Sequence, residues 1–125
     1  MDVIKAVKTL LTDAGVTTPI KLNRQPDTPV EVITIINTGG TAPDMELGVV
    51  HEPTFQLLIR AADYTTANGI AQACRAALHG KIAVEAEGVH FLSIGLLAEP
   101  GSIGQDDNGH DEFSANFKAK ARTIA

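Results

Sequence analysis

The sequence predicts an α+β fold in which a mainly antiparallel four-stranded sheet carries two α-helices, in the order α-β-β-α-β-β. Two segments place apolar residues at helical spacing, and each follows an aspartate that can cap a helix. Four other segments are rich in β-branched residues or alternate apolar and polar side chains, as strands do. No repeat or interdomain linker divides the chain, so we expect a single α+β domain over residues 1–125.

The first helix is predicted to begin after Asp2, which can act as its N-cap, and to end at Gly15. Its apolar positions recur every three or four residues: Val3, Ile4, Val7, Leu10, Leu11 and Ala14. The segment "TTPIKLNRQPDTP" follows and contains three prolines. Because proline cannot donate a backbone hydrogen bond, we expect this segment to be a connection without regular pairing.

The first predicted strand, "VEVITIIN", is rich in β-branched residues and is followed by "TGG". The second, "TFQLLIRA", alternates in the way that places successive side chains on opposite faces of a sheet. Residues 38–53 have no periodic pattern and are interrupted by glycine and proline. We predict a long loop there, and a loop of this length in so small a domain is usually functional or mobile, or both.

The second helix is predicted in "YTTANGIAQACRAALHG", with Asp63 as its N-cap and Gly80 just beyond its end. Gly69 inside this helix costs about 1 kcal/mol relative to alanine. The third and fourth strands are "GVHFLSIGLLA" and "HDEFSANFKAKAR". The apolar stripe of the helix consists of Tyr64, Ala67, Ala71, Cys74 and Leu78.

Composition and charge exclude several classes of function. The net charge is −5 and no cluster of Lys and Arg is evident, which argues against a protein that coats nucleic acid. Cys74 is the single cysteine, so no intrachain disulfide forms, and it is more simply a buried inert thiol than a nucleophile. The N-terminus does not resemble a signal peptide and no apolar run is long enough to cross a membrane, so we expect no membrane association.

The acidic segment 104–111 has two interpretations, a metal site or a turn between strands. Its spacing does not fit a calcium loop, because His110 stands where a ligand is expected and Gly109 comes too early. Asn108-Gly109 between two alternating segments is a strong signal for a β-hairpin. We therefore predict a hairpin turn at 104–111, with no metal, cofactor or catalytic residue in the chain.

The strands carry apolar side chains on both faces, as Ile33 and Ile36 show in the first strand and Phe91 and Leu92 in the third. Two helices could cover both faces of the sheet. If both helices lie on one face, the other must meet another subunit or remain an exposed apolar patch. The sequence alone leaves both alternatives open.

Four stretches, in this order, resemble the phage tail terminator and minor capsid proteins that join head to tail. These are "RQPDTP", "NTGGTAPDMELGVVHEPTFQLLIRA", "DYTTANGIAQACRAALHG" and "GSIGQDDNGHDEFSANFKAKAR". Together they cover most of residues 24–122. The resemblance implies a non-enzymatic structural protein that forms a homo-oligomeric ring at the head-proximal end of the tail and joins it to the head connector.

The same resemblance implies a location and a set of partners. We expect a protein made in the bacterial host cytoplasm and placed in the virion, at the head–tail junction. Its partners would be other copies of itself, the tail tube and the head connector, and DNA would only pass through the channel. Candidate contacts with neighbours or the lumen are Asn37, Gly39, Gly40, Asp44, Glu46, Leu92, Ile94, Leu96, Asp106, Asp107, Asn108 and Gly109.

Two alternatives remain open. The first is a minor capsid or neck (head completion) protein, since such proteins share a small α+β layout. The second, more distant, is a small metal-dependent hydrolase that uses acidic side chains and His110 of the Asp106–Asp111 segment. If the acidic residues line a channel, they would repel phosphate and let DNA slide through without binding.

Overall fold

The computed structural model describes residues 1–41 and 49–124, and over those residues the chain forms two helices and six strands. Candidate residues Asp44 and Glu46, and residues 42–48 of the predicted loop at 38–53, lie outside the described residues, while residues 38–41 and 52–53 of that loop are strand. The elements are α1 Val3–Asp13, β1 Ile20–Leu22, β2 Val32–Thr41, β3 Glu52–Ala61, α2 Tyr64–Leu78, β4 Lys81–Ala86, β5 Val89–Gln105 and β6 Asp111–Thr123.

The predicted four-stranded sheet is wrong. The strands form one six-stranded sheet in the order β1-β2-β3-β6-β5-β4, and the sheet is mixed because β1 runs parallel to β2. The remaining neighbours are antiparallel. The two strands that were missed, β1 and β4, form the two edges of the sheet.

Neither missed strand shows an alternation of apolar and polar residues long enough to be recognised in the sequence. β1 has three residues between prolines, and its pairing includes a hydrogen bond from the Ile33 N–H to the Pro19 carbonyl at 2.9 Å. Proline before the strand therefore supports the ladder through its carbonyl, although it has no N–H. In β4 the alternation is interrupted at Ala83, which has a positive φ of 54° and is skipped in the pairing with β5.

Both helices begin at the predicted caps. The Asp2 carboxylate accepts a hydrogen bond from the Lys5 N–H at 3.1 Å, and the Asp63 carboxylate accepts one from Thr66 at 2.8 Å. In α2, Ala67, Ala71, Cys74 and Leu78 are buried as the stripe predicts, while Tyr64 is largely exposed. Neither helix within the described residues has the length and apolar content that a membrane span needs.

The two helices pack against each other and against the same face of the sheet, which settles the alternative that the sequence left open. Buried side chains from both helices and from the strands form one core. At its centre Phe55 of β3 and Phe117 of β6 stack with ring centroids 5.2 Å apart and planes 9° apart. The opposite face of the sheet, which we call the outer face, carries no helix within residues 1–41 and 49–124.

Residues 23–31 cover one end of the outer face. Arg60 of β3 is only 6% exposed and its guanidinium donates hydrogen bonds to the carbonyls of Pro26, Asp27, Pro29 and Val30, at 2.6 to 3.2 Å. Such charge-assisted bonds are stronger than neutral ones, so one side chain holds the whole segment against the sheet.

Candidate functional site

The outer face is the face of the sheet against which neither helix packs. At the end beneath residues 23–31, the Gln25 amide bridges β2 and β6, since it accepts from the Thr34 hydroxyl at 3.3 Å and donates to the Glu112 carboxylate at 3.1 Å. At the opposite end no segment of the described chain makes comparable contacts. Over the residues that the structure describes, the outer face is therefore covered at one end and uncovered at the other.

A basic strip, defined as Lys118, Lys120 and Arg122, occupies the open end. These side chains alternate with Ala119 and Ala121, which are buried in the core, so all three basic residues point outward from β6. The Lys118 ammonium lies 3.7 Å from a carboxylate oxygen of Glu52. Among the described residues, neither Lys120 nor Arg122 has a carboxylate within 4.0 Å.

The acidic turn lies at the other end of the β5–β6 hairpin and comprises residues 106–110. Asp106 Oδ1 accepts hydrogen bonds from the N–H groups of Asn108 at 3.0 Å and His110 at 2.8 Å. The bond from the His110 N–H is the main reason that the pKa of the Asp106 carboxyl lies below its usual value. Asp107, by contrast, is exposed. Asp106 is thus engaged in holding the turn, and Asp107 presents its charge to solvent.

The acidic turn offers little to a metal ion. Within residues 1–41 and 49–124, no group of three or more His, Cys, Asp or Glu side chains is arranged to hold one. The Asp106 oxygens face the backbone and the ring of His110, whose Nδ1 lies 3.1 Å from Oδ2. The geometry is that of a hydrogen-bonded turn.

The candidate residues of β2 lie at its far end. The Asn37 side chain accepts a hydrogen bond from the Gly39 N–H at 2.8 Å, where the pairing of β2 with β3 shifts register. Gly40 has a positive φ of 110°, and a Cβ there would overlap the Glu52 carbonyl oxygen. Gly40 thus allows β2 to approach β3 closely, whereas a Cβ at Gly39 would meet no atom within 4 Å. Asn37, Gly39 and Gly40 are all exposed.

Leu92, Ile94 and Leu96 do not lie on a single exposed face. The register shift between Phe91 and Ser93 reverses the alternation, so that Phe91 and Ile94 are both buried. Ile94 is 2% exposed and belongs to the core, Leu96 packs partly against it, and Leu92 is 36% exposed. The exposed apolar residues of β5 also include Leu97 and Ile103, which the sequence did not single out.

Beyond Ile94, β5 is attached to the helix layer by an ion pair and by a hydrogen bond of 3.0 Å from the Leu96 N–H to His79 Nδ1, at the end of α2. β4 pairs with β5 only as far as Ile94, and beyond it the Glu99 carboxylate binds the Arg75 guanidinium of α2 at 2.7 and 2.9 Å. This two-bond contact holds the pKa of the Glu99 carboxyl below its usual value. It fixes the position of the hairpin relative to α2.

Sequence reasoning missed two features of the surface, the basic strip and the buried Arg60. The signal for the first was present, because Lys-x-Lys-x-Arg in a strand of period two places three cations on one face. No local signal marks Arg60, since its partners are carbonyl groups 30 to 34 residues away in the chain.

Comparisons with known proteins find one matching family and solved structures with a similar fold. Residues 10–123 match the family described as "Bacteriophage tail terminator protein". A chain from the virion of a native gene transfer agent particle matches with a TM-score of 0.64 at 17% identity, over 94% of this chain and 92% of that one. A second solved chain matches with a TM-score of 0.57 at 13% identity, again over 94% and 92%.

At such identities the two structures establish a shared fold only. No curated protein matches the sequence. The family match, however, extends over nearly the whole chain and includes both strands of the hairpin, the acidic turn and the basic strip. The protein belongs to the bacteriophage tail terminator family and is a structural protein of a phage virion.

Proposed function

We propose that this chain is the tail terminator subunit itself, a non-enzymatic protein that forms a homo-oligomeric ring at the head-proximal end of the tail. There it would stop growth of the tail tube and join the tail to the head connector. Family membership supports the assignment to the tail. The proposal places the protein at the head–tail junction of the virion.

The observation that carries the ring is the arrangement of helices on one face of the sheet. A monomer with six strands would ordinarily cover both faces or keep the uncovered one uniformly polar. Here the open end of the outer face combines a basic strip with exposed Ile82, Leu92 and Leu97. Ile82 is 74% exposed on the edge strand β4, a position that a partner subunit would cover.

A ring also needs two different surfaces on each subunit, because head-to-tail contacts pair unlike patches. The acidic turn and the basic strip lie at opposite ends of one hairpin and supply such a pair. The far end of β2, with Asn37, Gly39 and Gly40, provides a third exposed region, suited to the tail tube or the connector. DNA would meet the ring only as it passes through the channel.

The family match favours the terminator role over the minor capsid or neck role, and no feature of the described residues favours the latter. The hydrolase alternative is not proposed, because the Asp106 carboxylate is committed to backbone hydrogen bonds in the turn.

The proposed function is tested by asking whether the protein stops the growth of tail tubes. Purified tail tube protein is polymerised in the presence of increasing amounts of this protein, and tube lengths are measured by electron microscopy. We expect tubes capped at one end by extra density, with a mean length that falls as the protein is added. Tubes of unchanged length and uncapped ends, with well-folded protein present, would overturn the proposal.

A further inference from the structure

The β5–β6 hairpin separates its charges along its length. Residues 99–117 contain five acidic side chains and no Lys or Arg, whereas residues 118–122 contain three basic side chains and no Asp or Glu. The acidic side chains are Glu99, Asp106, Asp107, Asp111 and Glu112. A chain with net charge −5 thus concentrates three of its ten cations at one end of one strand.

Most acidic groups of the hairpin are already engaged within the subunit. Glu99 binds Arg75, Asp106 holds the turn and Glu112 accepts from Gln25. Asp107 is the exposed acidic residue at the tip, and among the described residues it has no ion-pair partner. The charge offered by the acidic turn is therefore that of Asp107.

The basic end is similarly available. Lys118 forms an ion pair with Glu52, but the exposed Lys120 and Arg122 make no ion pair with the described part of the chain. They stand beside exposed Leu92 and Ile82, so a partner seated there would bury apolar surface as well as pair charges.

The two ends cannot meet within one subunit. From Asp111 to Lys118 the strand spans seven residues, or about 23 Å at the rise of a β-strand. β6 is paired on both sides over this stretch, which keeps it extended. Charges so far apart on a rigid strand are screened from each other at physiological salt, because the screening length is about 8 Å.

We propose that the acidic turn of one copy docks on the basic strip of the next copy, with Asp107 facing Lys120 and Arg122. This inference rests on the proposed ring and names the contact that closes it. The contact pairs unlike surfaces, so it is head-to-tail and propagates around a closed ring.

A second copy fits the outer face better than the other occupants do. Nucleic acid would be attracted by the strip but repelled by a chain whose net charge is −5. Strand addition to the free edge of β5 is disfavoured, because its pairing shifts register three times beyond Ile94 and it contains Pro100. The open face and its charges remain as the docking surface.

A charge exchange tests the pairing. Three variants are prepared: Asp107→Lys, the double change Lys120→Glu/Arg122→Glu, and all three changes together. Controls on α1 are Asp13→Lys, which matches the charge change of Asp107→Lys, and Lys8→Glu, which reverses one basic charge; both side chains are exposed and have no ion pair with described residues. Circular dichroism checks that each variant folds, and assembly is followed by sedimentation velocity, with tail tubes added if the wild type needs them.

We expect Asp107→Lys and Lys120→Glu/Arg122→Glu each to weaken assembly by about tenfold or more, because each places like charges in contact. The triple variant should recover to within about threefold of the wild type, and the α1 controls should assemble normally. The attraction should also weaken as salt rises.

Two outcomes would overturn the inference. If the wild type assembles and the folded reversal variants assemble equally well, the contact is elsewhere, although the proposed ring stands. If both reversals prevent assembly and the triple variant does not recover, or if the double variant only loses binding to a short DNA duplex, the strip binds something other than the turn. Failure of the wild type itself to assemble, alone or on tubes, would instead count against the proposed function.

Discussion

Asp106 and His110, the residues at the two ends of the β5–β6 turn, are joined by three polar contacts. The Asp106 N–H donates to the His110 carbonyl at 3.0 Å, and the His110 N–H donates to Asp106 Oδ1 at 2.8 Å. The third contact joins Asp106 Oδ2 and His110 Nδ1 at 3.1 Å. The Asp106 carboxylate therefore holds the turn that presents Asp107. This structural role accounts for the presence of an aspartate at position 106.

Asp106→Ala should loosen the turn without unfolding the domain. The Asn108 and His110 N–H groups would lose their acceptor, so we expect their hydrogen exchange to approach the rate of an unstructured peptide. Asp107→Ala is the control, because Asp107 accepts no hydrogen bond in the described structure. Unchanged exchange at both amides in Asp106→Ala would contradict this account of the turn.

The contribution of the Asp106 carboxylate to the stability of the fold should depend on pH. The pKa of Asp106 is lowered by folding, so its contribution is present above the ordinary value of 3.8 and is lost as pH falls through the lowered folded value. We expect wild type and Asp106→Ala to differ in urea midpoint at neutral pH and to converge in strong acid. A difference that persists unchanged through the acid range would contradict it.

Two glycine substitutions should have opposite effects. Gly40→Ala places a Cβ against the Glu52 carbonyl at a positive φ, and should lower the free energy of unfolding by about 2 kcal/mol or more. Gly69 lies inside α2 with no atom within 4 Å of a built Cβ, so Gly69→Ala should raise it by about 1 kcal/mol. Urea denaturation measures both, and equal effects would contradict the described geometry.

Arg60→Ala should release residues 23–31 from the outer face. The change removes the hydrogen bonds that the guanidinium makes to four carbonyl groups, at a cost of about 2–3 kcal/mol. We also expect faster tryptic cleavage after Lys21 and Arg24. Arg75→Ala is the control, since its partner Glu99 is exposed and stays solvated. Cleavage at the wild-type rate in Arg60→Ala would show that other contacts hold the segment.

Cys74 should be unreactive in the folded chain. Burial raises the pKa of its thiol from 9.0 to about 12. At pH 8 the thiolate fraction then falls by about a thousandfold, and the thiolate is the reactive form. We expect a disulfide reagent such as DTNB to label the denatured chain rapidly and the native chain at least about a thousandfold more slowly. Comparable rates in both states would place the thiol at the surface.

The sequence predicted what short-range chemistry determines. Asp2 and Asp63 are helix caps as expected, and the buried stripe of α2 follows from its spacing. Asn108-Gly109 lies in the turn of the β5–β6 hairpin. Each of these features depends on residues a few positions apart, where propensity and hydrogen-bond geometry decide the outcome.

Features that depend on distant pairing could not be predicted. β1 is a strand only because β2 lies beside it, and the register shift near Leu92 places Ile94 in the core instead of on the surface. Whether the helices cover one face or both depends on how they pack against each other, which no local pattern encodes. The spacing of the basic strip could be predicted once β6 was placed. It could not be predicted that, among the described residues, no carboxylate lies within 4.0 Å of Lys120 or Arg122.

The molar mass of the assembled particle tests the central claim most directly. Light scattering after size exclusion, over a concentration series and with or without tail tubes, compares the particle with the 13.1 kDa chain. The account predicts one discrete species at a whole-number multiple of that mass, annular in negative stain. A 13.1 kDa monomer at every concentration that also fails to bind tail tubes would contradict the proposed ring.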